Sequence, residues 1–123
     1  MPNLQEEIYD LIERALFLPM AITIFNRDLA GIEESTLKLK HPYKQLISES
    51  LKIAQKDLME VRKELRKRKI AIRETERDEA FTLYTFVIDG YEENHRYFNP
   101  RIREQVSELL TYYLFAPDRL RAF

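Results

Sequence analysis

Apolar residues recur at alternating spacings of four and three in two long stretches of this sequence. The first set is Ile8, Leu11, Ala15, Leu18, Ile22, Phe25, Leu29 and Ile32, and the second is Ile47, Leu51, Ala54, Leu58, Val61 and Leu65. An average spacing of 3.5 residues places each set on one stripe of an α-helix. The first half of the chain is therefore predicted to form two long amphipathic helices. A short connection between them favours an antiparallel pair.

The first helix is predicted over about residues 3–31, with Asn3 as its capping residue. Pro19 lies inside this pattern, where it removes one backbone hydrogen bond and can kink or break a helix. We favour one kinked helix, because the residues just before Pro19 cannot cap a new one. Residues 15–26 carry no charge, so this segment needs apolar cover on several sides.

The second helix is predicted over about residues 42–67, and Pro42 suits its first turn. From about residue 69 to residue 89 the chain is rich in β-branched and aromatic residues, which predicts a β-hairpin. The second strand of this hairpin is apolar on both faces, with Phe81, Leu83 and Val87 alternating with Tyr84, Phe86 and Ile88. One face can pack on the helices, so the other needs a further element or another subunit.

A last helix is predicted over about residues 100–115, where Asn99 can cap the helix and Pro100 suits its first position. The tail, residues 118–123, is expected to be loose. Together these segments predict one mainly α domain spanning residues 1–123, built from an antiparallel pair of long helices, a β-hairpin and a C-terminal helix.

The composition excludes several classes of protein. The 123 residues include no cysteine, which rules out thiol nucleophiles, disulfides and thiolate metal sites and favours a reducing compartment. The acidic N-terminus lacks the basic region of a secretory signal. The longest uncharged stretch is far shorter than the roughly 20 residues that cross a bilayer. We therefore expect a cytoplasmic protein with no membrane segment.

Charge is segregated along the chain although the net charge is only -1. A basic run in the middle third comprises Arg62, Lys63, Arg66, Lys67, Lys69 and Arg73. It can contact the phosphates of a nucleic acid. Alternatively, cations in the last turns of a helix complement the helix dipole, and the basic helix can lie against acidic neighbours. The pI near 6.2 counts against nucleic acid.

A second cluster, here called the contact cluster, interleaves arginine with aromatic residues: Arg96, Tyr97, Phe98, Arg101 and Arg103. Such a mixture can stack on bases or grip a partner peptide. The alternative is that Tyr97 and Phe98 pack around the start of the last helix while the arginines face water.

Catalytic signals are poor. The chain has two glycines, too few for a phosphate-binding loop of the usual types. Glu92 and His95 have the E-x-x-H spacing of di-iron helical bundles, but such sites need a second motif and two more carboxylates. The sequence therefore predicts no catalytic residue, no cofactor and no metal site.

Five motifs occur in order along the chain: H-P-Y at 41–43, F-T-x-Y-x-F at 81–86, G-Y at 90–91, R-Y-F-N-P-R-I-R at 96–103 and L-L-x-Y-Y at 109–113. In these motifs the sequence resembles the small uncharacterised YhjD-like proteins of Bacillus-type bacteria. The resemblance implies a cytosolic bacterial protein and supplies no catalytic residue.

These features lead to three hypotheses. The first is a small non-enzymatic helical interaction protein that self-associates, as a dimer, through the uncharged segment of the first helix or the free face of the hairpin. The alternative is a nucleic-acid-binding protein that uses the basic run. The third, ranked last, is a metal protein or enzyme centred on Glu92 and His95.

Overall fold

The computed structural model describes residues 4–115, so the predicted cap Asn3 and the predicted loose tail 118–123 lie outside the described residues. It contains three helices and one antiparallel sheet. In chain order the elements are α1 (Leu4–Glu33), α2 (Lys40–Lys67), β1 (Ile70–Arg77), β2 (Phe81–Ile88), β3 (Tyr91–Phe98) and α3 (Asn99–Leu114). The predicted mainly α class is confirmed, with two long helices and a C-terminal helix close to their predicted bounds.

Helix α1 continues through Pro19 without interruption. The proline costs the helix one hydrogen bond and about 3 kcal/mol. Buried side chains on both sides of it, Phe17, Leu18 and Ala21, offset that cost, because each large apolar side chain contributes about 1.5–3 kcal/mol when buried. The prediction of one helix across this position is confirmed.

Helices α1 and α2 form the predicted antiparallel pair. The Lys40 ammonium donates to the Glu33 carbonyl at 2.7 Å, which joins the end of α1 to the start of α2. The second stripe supplies Ala54, Leu58 and Val61 to the core. The uncharged segment of α1 is covered on several sides, as predicted, because α2, α3 and the sheet all pack on this helix.

The β-hairpin predicted over about residues 69–89 is present as the antiparallel pair of β1 and β2. The sheet has a third strand in the order β1-β2-β3, however, and the prediction of only two strands is wrong. Strand β3 contains the polar residues Glu92, Glu93 and Asn94, which are residue types depleted in strands. For this reason the sequence pattern did not predict this strand. The turn before it carried a usable signal. Asp89 and Gly90 have φ values of 52° and 81°, the pair of positive angles that a two-residue hairpin turn requires.

Asn99 does not cap α3, contrary to the prediction. The start of this helix has no side-chain capping hydrogen bond. The Asn99 amide instead donates to the carbonyls of Asp78 and Glu79 at 2.9 and 3.1 Å, and the Thr82 hydroxyl donates to its Oδ1 at 2.7 Å. Asn99 thus fastens the β1–β2 turn to the start of α3.

Within residues 4–115, no helix is both long enough and apolar enough to span a bilayer.

Candidate functional site

The two faces of the sheet differ in their cover. Alternate residues of β2 on one face, Thr82, Tyr84 and Phe86, are buried. Aromatic side chains of α1 pack on this face: Tyr9 lies 6.5 Å from the Phe86 ring, and Phe17 meets Tyr97 edge-on at 6.1 Å. This inner face is part of the core.

The opposite face, here called the outer sheet face, carries no helix of the described chain. By register it comprises Ala71, Arg73 and Glu76 of β1, Phe81, Leu83, Thr85 and Val87 of β2, and Glu92, Asn94, Arg96 and Phe98 of β3. All the β1 and β3 members are exposed, whereas in the central strand Phe81, Leu83 and Val87 are half-buried and Thr85 is buried. Because no described helix lies over this face, the central apolar row is partly covered by neighbouring side chains of the sheet.

Arginine and aromatic groups organise the outer sheet face. The Arg96 guanidinium lies 3.9 Å from the centroid of the Phe81 ring, a favourable cation–π distance. Phe98 packs beside Phe81 at 5.4 Å between ring centroids and keeps 50% of its surface exposed. Arg73 and Glu92 form an ion pair of 3.6 Å across β2. The face is thus an apolar row bordered by charges of both signs.

The contact cluster is divided by the fold. Arg96 and Phe98 lie on the outer sheet face, whereas Tyr97 points inward and packs on aromatic rings of α1 and β2. Burial is the largest cause of the strongly raised pKa of Tyr97. Arg101 is exposed on α3. Arg103 lines a groove between α1 and α3 with a volume of about 430 Å³. Tyr97 is therefore a packing residue, and the cluster is not one surface.

The basic run lies at the C-terminal end of α2 and the start of β1. Arg62, Lys63, Arg66, Lys67 and Lys69 are all exposed, while Arg73 is on the outer sheet face. The strand register places this end beside Tyr91, whereas the contact cluster begins at the opposite end of β3. Apart from Arg73, which shares the outer sheet face with Arg96 and Phe98, the two candidate sites are therefore separate.

Acidic residues of α1 lie beside this basic end. A shallow cleft of about 270 Å³ is lined by Glu7, Asp10, Leu11, Arg14, Glu64 and Arg68. The start of α1 is acidic and the end of α2 is basic, which suits the dipole of each helix. Because the antiparallel pair brings these ends together, part of the charge segregation serves the fold.

A larger groove of about 520 Å³ lies between the three helices. Its polar lining includes Arg14, Asp57, Glu60 and Tyr113. The Tyr113 hydroxyl donates to the Asp57 carboxylate at 2.6 Å, and burial is the largest cause of the raised pKa of Tyr113. This hydrogen bond ties α3 to α2, so the two groups serve packing.

The E-x-x-H pair is separated by the strand. Residues three apart in a strand point to opposite faces, so Glu92 lies on the outer sheet face while His95 points inward. Glu93 contacts His95 instead, with 3.0 Å between Glu93 Oε1 and His95 Nε2. The Tyr9 hydroxyl donates to the same carboxylate at 2.5 Å. These hydrogen bonds, led by that from Tyr9, lower the pKa of Glu93.

Sequence reasoning missed this Tyr9–Glu93–His95 group, because it gave no strand to residues 91–98. A spacing of two in a recognised strand would have paired Glu93 with His95. The group joins the start of α1 to β3. Among residues 4–115 no three histidine, cysteine, aspartate or glutamate side chains are grouped as a metal would require.

These observations define a small, mainly helical protein in which helices cover one face of a three-stranded antiparallel sheet, while no described helix covers the other face. The chain belongs to the YhjD protein family, whose family model matches residues 3–117. The match confirms the resemblance seen in the sequence motifs. No solved structure is significantly similar to the chain.

Proposed function

We propose that this chain is a small non-enzymatic interaction protein that associates with a second copy of itself through the outer sheet face. The observation that supports the proposal is the central row of this face. Phe81, Leu83 and Val87 belong to the middle strand, yet no described helix covers them. An antiparallel sheet that faces water usually presents a polar outer face.

The sequence suggested two surfaces for self-association, the uncharged segment of α1 and the free face of the hairpin. Burial favours the second. In the uncharged segment of α1, residues 15–26, the large side chains Leu16, Phe17, Leu18 and Phe25 are at most 8% exposed. That segment is occupied by the chain's own core. Within residues 4–115, no other part of the chain covers the outer sheet face in a comparable way.

Face-to-face packing is favoured over the addition of strands at the edges of the sheet. The two edge strands carry charged residues along their length: Arg73, Glu74, Glu76 and Arg77 on β1, and Glu92, Glu93 and Arg96 on β3. Charged edges discourage pairing with another chain. Two sheets that stack face to face lie about 10 Å apart and bury the side chains between them.

The size of the face limits the affinity. Three strands of eight residues cover a projected area on the order of 380 Å², at about 4.8 Å between strands and about 3.3 Å per residue. Stable interfaces bury about 800 Å² per partner. We therefore expect a dimer with a dissociation constant in the micromolar range.

Sedimentation equilibrium tests the proposal. The weight-average mass should rise from 14.8 kDa toward twice that value as the protein concentration increases from about 1 to 100 μM. Leu83→Glu places a charge in the centre of the face and should keep the protein monomeric. Met59→Glu is the matched control, because Met59 is an apolar residue on α2 with 67% exposure. A parent protein that stays monomeric, or a Leu83→Glu variant that dimerises normally, contradicts the proposal.

The cytoplasmic location favoured by the cysteine-free sequence, and the bacterial origin implied by the family resemblance, belong to the same proposal. Fractionation of cells that express the protein at its native level tests the location. Recovery in the soluble cytoplasmic fraction supports it, and recovery outside the cytoplasm contradicts it.

A second candidate function is nucleic-acid binding by the basic run. It is favoured by the exposure of Arg62, Lys63, Arg66, Lys67 and Lys69, none of which forms an ion pair with another described residue. Binding should weaken steeply with added salt, because released counterions drive it. Failure of the protein to retard DNA or RNA at low salt would exclude this function.

A further inference from the structure

Two charged residues of the outer sheet face form no direct ion pair within the described chain. Glu76 of β1 and Arg96 of β3 are exposed. The other two charges on this face, Arg73 and Glu92, are paired with each other. Neither Glu76 nor Arg96 is in an ion pair with a described residue, although Arg96 lies over an aromatic ring and its charge acts on the Asp78 carboxylate.

The strand register places these two charges at one level of the sheet. Glu76 and Arg96 are both partners of Leu83 in the central strand, one from each side. At about 4.8 Å between strands their backbones are about 10 Å apart. The face therefore carries an acid on one edge, a base on the other, and a leucine between them.

The two-fold axis of a face-to-face dimer lies in the plane between the two sheets. Two directions of that axis keep the strands of the two sheets aligned, which is a common packing of stacked sheets. An axis along the strands keeps every residue at its level and puts β1 over β3 of the second copy. Glu76 then faces Arg96 twice, and Leu83 faces Leu83. An axis across the strands at the same level puts β1 over β1, so like charges face each other.

We propose, building on the proposed self-association, that the dimer axis runs along β2 and that Glu76 of each copy pairs with Arg96 of the other. The bulge between Glu74 and Glu76 makes this arrangement possible. It shifts the register by one residue, so Glu76 lies on the outer sheet face beside Leu83. At the same end, Phe81 of one copy faces Phe81 of the other, and Phe98 of each copy lies over the end of β1 of the other.

Complementary charge reversals test the axis. Glu76→Arg and Arg96→Glu each create two like-charged pairs in the homodimer, so each variant alone should dimerise about tenfold more weakly than the parent. In an equimolar mixture the heterodimer contains two attractive pairs. Dimerisation should therefore return to near the parental level on mixing. The double variant carrying both reversals should dimerise as the parent does.

A matched control uses Lys56→Glu and Glu60→Arg, two exposed positions on α2. These variants should dimerise normally both alone and mixed. Circular dichroism confirms that every variant is folded. If the parent dimerises but the mixture of Glu76→Arg and Arg96→Glu regains nothing, the axis along β2 is wrong and the proposed self-association still stands. If the parent is monomeric, both proposals fail.

Discussion

The sharpest stability prediction compares two phenylalanines of the same strand. Phe86 points inward, has no exposed surface and stacks on His95 with 4.4 Å between ring centroids. Phe86→Ala should lower the free energy of unfolding by about 4 kcal/mol, the typical loss for a buried aromatic residue. At an m-value of about 2 kcal/mol/M, the urea midpoint should fall by about 2 M.

Phe81 is the matched control, because an odd separation in a strand puts it on the opposite face. Its ring is half-buried on the outer sheet face, covered mainly by Arg96 and Phe98. Phe81→Ala should therefore cost the monomer only about 1–2 kcal/mol, a fraction of the loss at a fully buried site. The two variants should differ by at least about 2 kcal/mol.

The assay is urea unfolding followed by far-ultraviolet circular dichroism. It is repeated at a submicromolar and a higher protein concentration, so that dimer dissociation is separated from unfolding. An equal loss for Phe81→Ala and Phe86→Ala at the lowest concentration would refute the reasoning, because it would mean that the outer sheet face is covered within one chain.

Four further predictions concern single positions. Gly90→Ala should lower the melting temperature, since Gly90 has a φ of 81°. Gly31→Ala in helix α1 should raise it, because the helix has free space there for a methyl group. Each change is worth about 1 kcal/mol, and shifts of the same sign for the two variants would contradict this. Asn99→Asp should cost about 1–2 kcal/mol in urea unfolding, because a carboxylate cannot donate to the turn carbonyls, while a mere capping role predicts no loss. Because the pKa of Tyr113 is raised, the stability that this group contributes is complete below pH 10 and falls above it, by up to about 1.4 kcal/mol per pH unit. Tyr113→Phe should reduce that slope, and an unchanged slope would contradict this role of Tyr113. The lowered pKa of Glu93 gives stability that is complete above its ordinary value of 4.5 and is lost as the pH falls below it, so Glu93→Gln should lose less stability between pH 5 and pH 3, and an equal loss would exclude this role.

Local pattern was sufficient for the helices. The stripe that contains Ala54, Leu58 and Val61 identified a buried face because the helix period is a property of the backbone. The same holds for the unbroken α1, whose apolar phase runs through Pro19. The predicted bounds of all three helices lie within about two residues of the observed ones, the usual uncertainty of helix ends.

Strand β3 was not found because its stability comes from its neighbours. Glu92, Glu93 and Asn94 do not favour a strand by themselves. Their backbones pair with β2, and one face of the strand packs on α1. The turn at Asp89 and Gly90 was the only local indication of this strand.

The sequence also predicted only part of the candidate sites. Sequence pattern separated the two apolar rows of the second strand, because alternation alone distinguishes the two faces of a strand, but it did not predict which row is open. It did not predict that Glu76 lies on the outer sheet face, since the bulge that puts it there is a feature of strand pairing. Nor did it show that Tyr97 is a packing residue while Arg96 and Phe98 are exposed.

The sequence by itself determined the periodicity of this protein: two long amphipathic helices, a doubly apolar strand and a terminal helix. Only the tertiary structure decided which apolar surfaces are covered. Periodicity follows from bonds and angles within a few residues, whereas cover depends on elements far apart in the chain. For this reason the uncharged segment of α1 became core, while the outer row of β2 remained open.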